Sequence, residues 1–195
     1  MKEKRNMSTE TMVMTAILTA LVVLLQFMGA FVRLGPFSIS LVLVPIVIGS
    51  ALCGAGAGAW LGLVFGAVVL ASGDAAAFLA VNVPGTILTV LAKGIACGYA
   101  AGLAYRLIEK HNRYVAVAVA AVVCPVVNTG IFLLGCLVFF MDTVSAWTQA
   151  AGLGADVARY MIFGLVGTNF LVELGANIVL SPVIVRLIGL RKTAR

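Results

Sequence analysis

The chain has 195 residues, of which 63% are hydrophobic and only 10% are charged, with a formal net charge of +6. Soluble domains are apolar in about half of their residues and charged in about a quarter, so this composition excludes an ordinary soluble protein. The basic excess is read as a signal of membrane topology and not of nucleic-acid binding, because Lys and Arg cluster between long apolar runs.

Apolar runs of membrane-crossing length recur along the whole chain, since about 20 residues span the hydrocarbon core of a bilayer. They predict six helices, over about residues 11–31, 38–54, 55–72, 86–108, 114–140 and 158–188. We therefore expect an all-α integral membrane protein in which residues 1–195 form a single transmembrane domain. The first run is too long for a signal peptide and lacks a clear cleavage site, so we expect a retained helix.

The basic residues predict the orientation of these helices, because Lys and Arg concentrate in cytoplasmic loops. With six spans and both termini in the cytoplasm, only Arg33 and Arg159 lie outside and Lys93 lies within the fourth span. The remaining basic residues all lie inside: Lys2, Lys4, Arg5, Arg106, Lys110, Arg113, Arg186, Arg191, Lys192 and Arg195. An odd number of spans would remove this asymmetry.

Glycines recur at every fourth position in the third and fourth predicted helices, at 54, 58, 62 and 66 and at 94, 98 and 102. Small residues at this spacing let helix backbones approach closely in lipid, where van der Waals packing replaces the hydrophobic effect. Tight helix packing is the simplest role for both stripes.

Three polar residues interrupt the last apolar run, NFLVELGANIVL. Asn169, Glu173 and Asn177 are spaced by four residues, so they share one stripe of a helix. A charge near the bilayer centre costs about 2.5 to 3.5 kcal/mol on insertion scales, and such residues usually face a bundle interior or a polar cavity. This stripe is therefore expected to face away from lipid.

Lys93 and Asn128 are expected at a depth similar to that of Asn169 and Glu173. These four residues are the predicted substrate-binding set, in which Lys93 meets an anionic or carbonyl group and the others bond hydroxyl or amide groups. A structural ion pair between Lys93 and Glu173 is the alternative, and it can coexist with ligand binding.

The predicted outer connections hold three further candidate contacts, Arg33, Asn82 and Trp147. The simpler role of Arg33 and Trp147 is to mark the membrane interface. No phosphate-binding loop, H-E-x-x-H metal motif or G-x-S-x-G nucleophile elbow is present in the sequence. We therefore predict no enzyme activity, no metal and no cofactor.

Several features occur together: the chain length, the six predicted spans, the pair Ala16-x-x-x-Ala20, the segment 34–68 with Pro45 and its glycine ladder, and the late motifs NTG and NFLVE. With these features the chain resembles, over about residues 9–188, the S components of energy-coupling factor (ECF) transporters. Those are the substrate-capture subunits of vitamin importers.

The resemblance implies capture of a vitamin or similar micronutrient from outside, at a site formed by the last three helices and the outer loops. It also implies that Ala16 and Ala20 dock on a transmembrane coupling subunit that two cytoplasmic ATPases drive, in a plasma membrane of bacterial type. Lys93 and the amides favour pantothenate as substrate, with folate, riboflavin and other precursors left open. A self-contained channel or secondary carrier, working as a homo-oligomer, is the alternative function.

Overall fold

The computed structural model describes residues 9–29, 33–34, 37–38, 41–154 and 156–193. In chain order its elements are α1 (Thr9–Gly29), β1 (Arg33–Leu34), β2 (Phe37–Ser38), α2 (Leu43–Cys53), α3 (Ala55–Ala71), α4 (Ala76–Leu79), α5 (Val83–Ile108), α6 (Arg113–Phe139), α7 (Met141–Ala150), α8 (Val157–Arg159), a π-helical stretch (Tyr160–Gly167) and α9 (Thr168–Thr193).

Four stretches of helix are long and apolar enough to cross a membrane within the described part of the chain: Thr9–Gly29, Val83–Ile108, Arg113–Phe139 and Asn169–Arg186. Two shorter apolar helices, α2 with 11 residues and α3 with 17, occupy the positions of the second and third predicted spans. At 1.5 Å per residue they are roughly 16 Å and 26 Å long, against about 30 Å for the hydrocarbon core. The predicted all-helical membrane class is confirmed, with four helices of spanning length among the described residues.

The second helix begins later than predicted. Its run was expected from residue 38, but Phe37–Ser38 pairs with Arg33–Leu34 as a short antiparallel ladder, and α2 begins at Leu43. Pro45 explains where the helix can begin, because a proline in the first turn lacks only an N–H that has no helical partner there.

The two glycine stripes pack against each other. A Cβ atom on Gly62 of α3 would collide with the backbone carbonyl of Gly94 of α5, and one on Gly58 would collide with that of Gly98. Ser50 of α2 adds a hydrogen bond from its Oγ to the Gly98 carbonyl oxygen, at 2.9 Å. The predicted close packing is confirmed, and it joins α2, α3 and α5 into one unit.

Two hydrophobic clusters hold the bundle together. The larger cluster combines side chains of α1, α2, α3, α5, α6 and α9. Its fully buried large members include Val22, Leu43, Ile46, Leu61, Val117 and Ile184. The smaller cluster gathers Phe78 of α4, Phe140 and Val144 near the start of α7, and Leu165 of the π-helical stretch. The short helices are thereby fixed to one end of the bundle.

Candidate functional site

A cavity lies at the end of the bundle where α1 and α3 end and where α5 and α9 begin. The space between its lining residues is about 510 Å³, a volume that includes open solvent at its mouth. Its polar side chains are Gln26, Asp74, Lys93, Asn169 and Glu173. They come from α1, the α3–α4 connection, α5 and α9, so residues distant in sequence meet here.

The wall formed by α9 carries the polar stripe that the sequence predicts to face away from lipid. Glu173 is 3% exposed and Asn177 is 1% exposed, whereas Leu171 and Val179 on the opposite face are 66% and 73% exposed. Asn169 donates from Nδ2 to Glu173 Oε1 at 3.2 Å, because residues four apart on a helix are neighbours. The predicted orientation of the stripe is confirmed.

Lys93 reaches the cavity from α5 and is half-buried there. Its ammonium nitrogen lies 5.4 Å from the ring centroid of Phe65 and 5.5 Å from that of Phe132, within the range of cation–π attraction. The next residue is Gly94, which contacts Gly62 of α3, so the close approach of α3 and α5 places the Phe65 ring beside the ammonium.

Glu173 has one oxygen in use and one without a partner. Its Oε1 accepts from Asn169, while its buried Oε2 has no hydrogen-bond partner among the described residues. Lys93 lines the same cavity but does not hydrogen-bond to Oε2. The carboxylate therefore keeps one unpaired buried acceptor, on a residue that lines the cavity.

Sequence reasoning missed two polar residues of the lining, Gln26 and Asp74. Gln26 is 1% exposed, and its Nε2 donates to Asp74 Oδ2 at 2.5 Å. This bond ties α1 to the α3–α4 connection. The turn there includes Gly73, which has a φ of 84°, a backbone conformation that favours glycine. Gln26 interrupts an apolar helical run as Glu173 does, so the same signal could have found it.

Aromatic rings form the apolar wall of the cavity. Phe78 packs edge-on against Phe132, with ring centroids 5.6 Å apart, and both rings line the cavity. Trp147 of α7 also packs on Phe78, with ring centroids 5.4 Å apart. Trp147 therefore contacts a wall residue without being among the lining residues itself, a role that its place in a connecting segment did not predict.

Asn128 and Asn82, two of the other predicted contacts, lie outside this lining. Asn128 is buried on α6, one turn before Phe132, and its Oδ1 has no partner among the described residues. Asn82 caps α5 by accepting from the Gly85 backbone N–H at 2.9 Å. The Arg33 backbone lies in β1, and its side chain is outside the described part of the structure.

Ala16 and Ala20 lie on the exposed face of α1. Between them Thr19 accepts a hydrogen bond from the Trp60 indole N–H of α3, at 3.2 Å. This bond ties the middle of α1 to α3 and leaves the strip of two alanines open on the surface.

The chemistry of the cavity is that of a binding site. One ammonium, two carboxylates and two side-chain amides converge on an aromatic wall, and polar groups placed in this way can orient a small polar molecule. No group of three or more His, Cys, Asp or Glu side chains that could hold a metal ion occurs within the described ranges.

Comparison with known proteins identifies the family. A family model described as "ECF transporter, substrate-specific component" matches residues 10–185, a range that includes the cavity and the alanine strip. Searches of curated proteins and of solved structures found no match to the chain. Proteins of the matched family are membrane-embedded, substrate-binding transport subunits and not catalysts. The chain belongs to the family of substrate-specific components of ECF transporters.

Proposed function

We propose that this protein captures a water-soluble vitamin or related micronutrient outside the cell for ATP-driven uptake by an ECF importer. The observation that carries the proposal is the cavity, in which Lys93 of α5 and the pair Asn169 and Glu173 of α9 face one space. A site of this kind, within a chain of the substrate-specific family, is where a substrate can be held before delivery.

The polar side chains have distinct proposed roles. Lys93 binds an anionic or carbonyl group of the substrate, and Asn169 and Glu173 bond its hydroxyl or amide groups. Asn128, one turn from the wall residue Phe132, is a fourth proposed contact. Pantothenate is the individual vitamin that we propose, because it combines a carboxylate with hydroxyl and amide groups.

The connections at this end of the bundle supply secondary contacts. Arg33 is proposed to meet an anionic substrate at the mouth, whereas Asn82 and Trp147 act mainly through the elements that they hold. Asn82 caps α5, which carries Lys93, and Trp147 supports the Phe78 ring.

We propose six spans with both termini in the cytoplasm of a bacterial cell, so that residues 1–195 form one multi-pass domain. The short helices α2 and α3 are the second and third spans. They join directly through Gly54, with φ of 94°, and form an antiparallel pair against α5. In this arrangement the cavity opens to the outside, and ten of the thirteen basic residues lie inside.

Ala16 and Ala20 are the proposed contact with the coupling subunit. Both are exposed on one face of α1, and small residues four apart allow close packing of a partner helix. Two cytoplasmic ATPases then drive the complex, since this chain has no phosphate-binding loop of its own.

Native mass spectrometry of the protein in mild detergent tests the capture function. We expect a bound small molecule that is released by denaturation and identified as a vitamin or vitamin precursor. An empty protein whose thermal stability does not respond to a vitamin panel would contradict capture. Uptake into liposomes by this chain alone, without ATPases, would instead support a channel or carrier.

A further inference from the structure

The cavity contains buried hydrogen-bond acceptors that nothing in the described part of the chain satisfies. Asn169 Oδ1 and Glu173 Oε2 are both buried without a hydrogen-bond partner, and both residues line the cavity. Buried polar atoms in proteins are nearly always paired with protein, water or ligand groups. These two oxygens are therefore positions where donors from another molecule are expected.

The orientation of the Asn169 amide is determined by its neighbour. Its Nδ2 donates to Glu173 Oε1 at 3.2 Å, and turning the amide over would place two acceptor oxygens against each other. Asn169 therefore keeps Oδ1 available. A side-chain amide oxygen only accepts hydrogen bonds, and so does each oxygen of Glu173 in its ionised form. We call this side of the cavity the acceptor pole, defined by Asn169 Oδ1 and Glu173 Oε2.

Other charges in the lining strengthen this polarity. Asp74 brings a second carboxylate, whose Oδ2 accepts from Gln26. Lys93 carries the single ammonium among the described lining residues, beside the rings of Phe65 and Phe132. The lining therefore combines two carboxylates with one group that only donates.

We infer that the substrate carries at least two hydrogen-bond donors, O–H or N–H, which meet Asn169 Oδ1 and Glu173 Oε2. Because this rests on the proposed capture function, it names the chemical class of that same substrate. A carboxylate without other donors does not fit, since it would leave both acceptors unmet. A carboxylate with separate hydroxyl or amide donors fits, with its anionic end at Lys93.

Thermal-shift and calorimetric binding measurements on the purified protein in detergent test the donor requirement. The probes are pantothenate, pyridoxine and riboflavin, which carry several donors, and nicotinate and lipoate, whose carboxylates are accompanied by none at neutral pH. We expect at least one donor-rich probe to stabilise the protein, and neither nicotinate nor lipoate to do so. Stabilisation by nicotinate or lipoate would overturn the donor requirement while leaving capture intact.

Two nearly isosteric substitutions locate the effect in the acceptor pole. Glu173→Gln replaces the unused oxygen with a donating NH₂, because Asn169 Nδ2 retains the other oxygen as its acceptor. This change should lower the affinity for the stabilising probe by about tenfold or more. Thr89→Val is the matched control, since Thr89 Oγ1 is also buried without a partner but lies outside the lining.

Unchanged affinity in Glu173→Gln would overturn the assignment of the pole while leaving capture intact. An equal loss of affinity in Thr89→Val would overturn it too, because the effect would then not depend on the cavity. If no probe binds and the native protein releases no small molecule, the capture function fails and the substrate class fails with it.

Discussion

Gly62 of α3 and Gly94 of α5 face each other so closely that neither position has room for a side chain. Their contact lies one helical turn from Phe65 on one helix and next to Lys93 on the other. The ammonium of Lys93 lies 5.4 Å from the Phe65 ring centroid. The glycine contact thus links the packing of the bundle to the geometry of the proposed site.

Gly62→Ala should destabilise the protein by about 1 to 3 kcal/mol, because the added methyl group meets backbone that cannot move alone. Thermal unfolding in detergent measures the change. Gly56→Ala, in the same helix but with open space around the position, is the control and should be neutral or stabilising. Equal stability of the two variants would refute the close contact between α3 and α5 at Gly62.

Lys93→Met should weaken binding of an anionic substrate by about 10- to 100-fold, which corresponds to losing a charge-assisted hydrogen bond of about 1.5 to 3 kcal/mol. Methionine retains most of the side-chain packing on Phe65 and Phe132. Isothermal titration with the ligand identified by mass spectrometry gives the affinity. Lys110→Met, at an exposed position, should bind normally; wild-type affinity in both variants would remove Lys93 from the site.

Gln26→Leu should loosen the α3–α4 connection from α1, because it removes the bond from Gln26 Nε2 to Asp74 Oδ2. A bond to a charged acceptor contributes about 1.5 to 3 kcal/mol, so amide hydrogen exchange in residues 72–79 should accelerate by about 10- to 100-fold. Thr19→Val is the control, because Thr19 is also on α1 and accepts an exposed hydrogen bond from Trp60 of α3. This substitution should leave the exchange in residues 72–79 unchanged. Equal rates in both variants would mean that Gln26 does not hold the connection.

Replacing Ala16 and Ala20 with leucine should leave substrate binding intact and block assembly with the coupling subunit. Bulky side chains on this exposed strip prevent close approach of a partner helix. Co-purification with the coupling subunit measures assembly, and ligand titration measures binding. Ala118→Leu, at an exposed alanine of α6, should assemble normally; normal assembly of the double variant would place the docking surface elsewhere.

The helical membrane class was predictable from composition and apolar run length, because these depend on how residues partition between water and lipid. The burial of Glu173 and Asn177 was also predictable. Polar residues avoid lipid, and helical spacing puts these two residues on one face. The start of α2 at Leu43 was not, because residues 38–42 are as apolar as the helix that follows.

The composition of the cavity required the tertiary structure. Lys93, Asn169 and Glu173 were candidates because each interrupts an apolar run, and the structure adds Gln26 and Asp74, which are 48 residues apart and meet in one hydrogen bond. Asn128 interrupts its run in the same way but lies outside the lining.

By itself, the sequence determined the membrane class, the family and the polar faces of single helices, because these follow from local composition, spacing and motifs. Only the tertiary structure decided that the two glycine stripes meet, that Trp147 packs on Phe78, and that Asn169 and Glu173, each with an unpaired acceptor, share a cavity with Lys93. Such relationships depend on how helices rotate and pair, and many pairings are compatible with the same apolar helices.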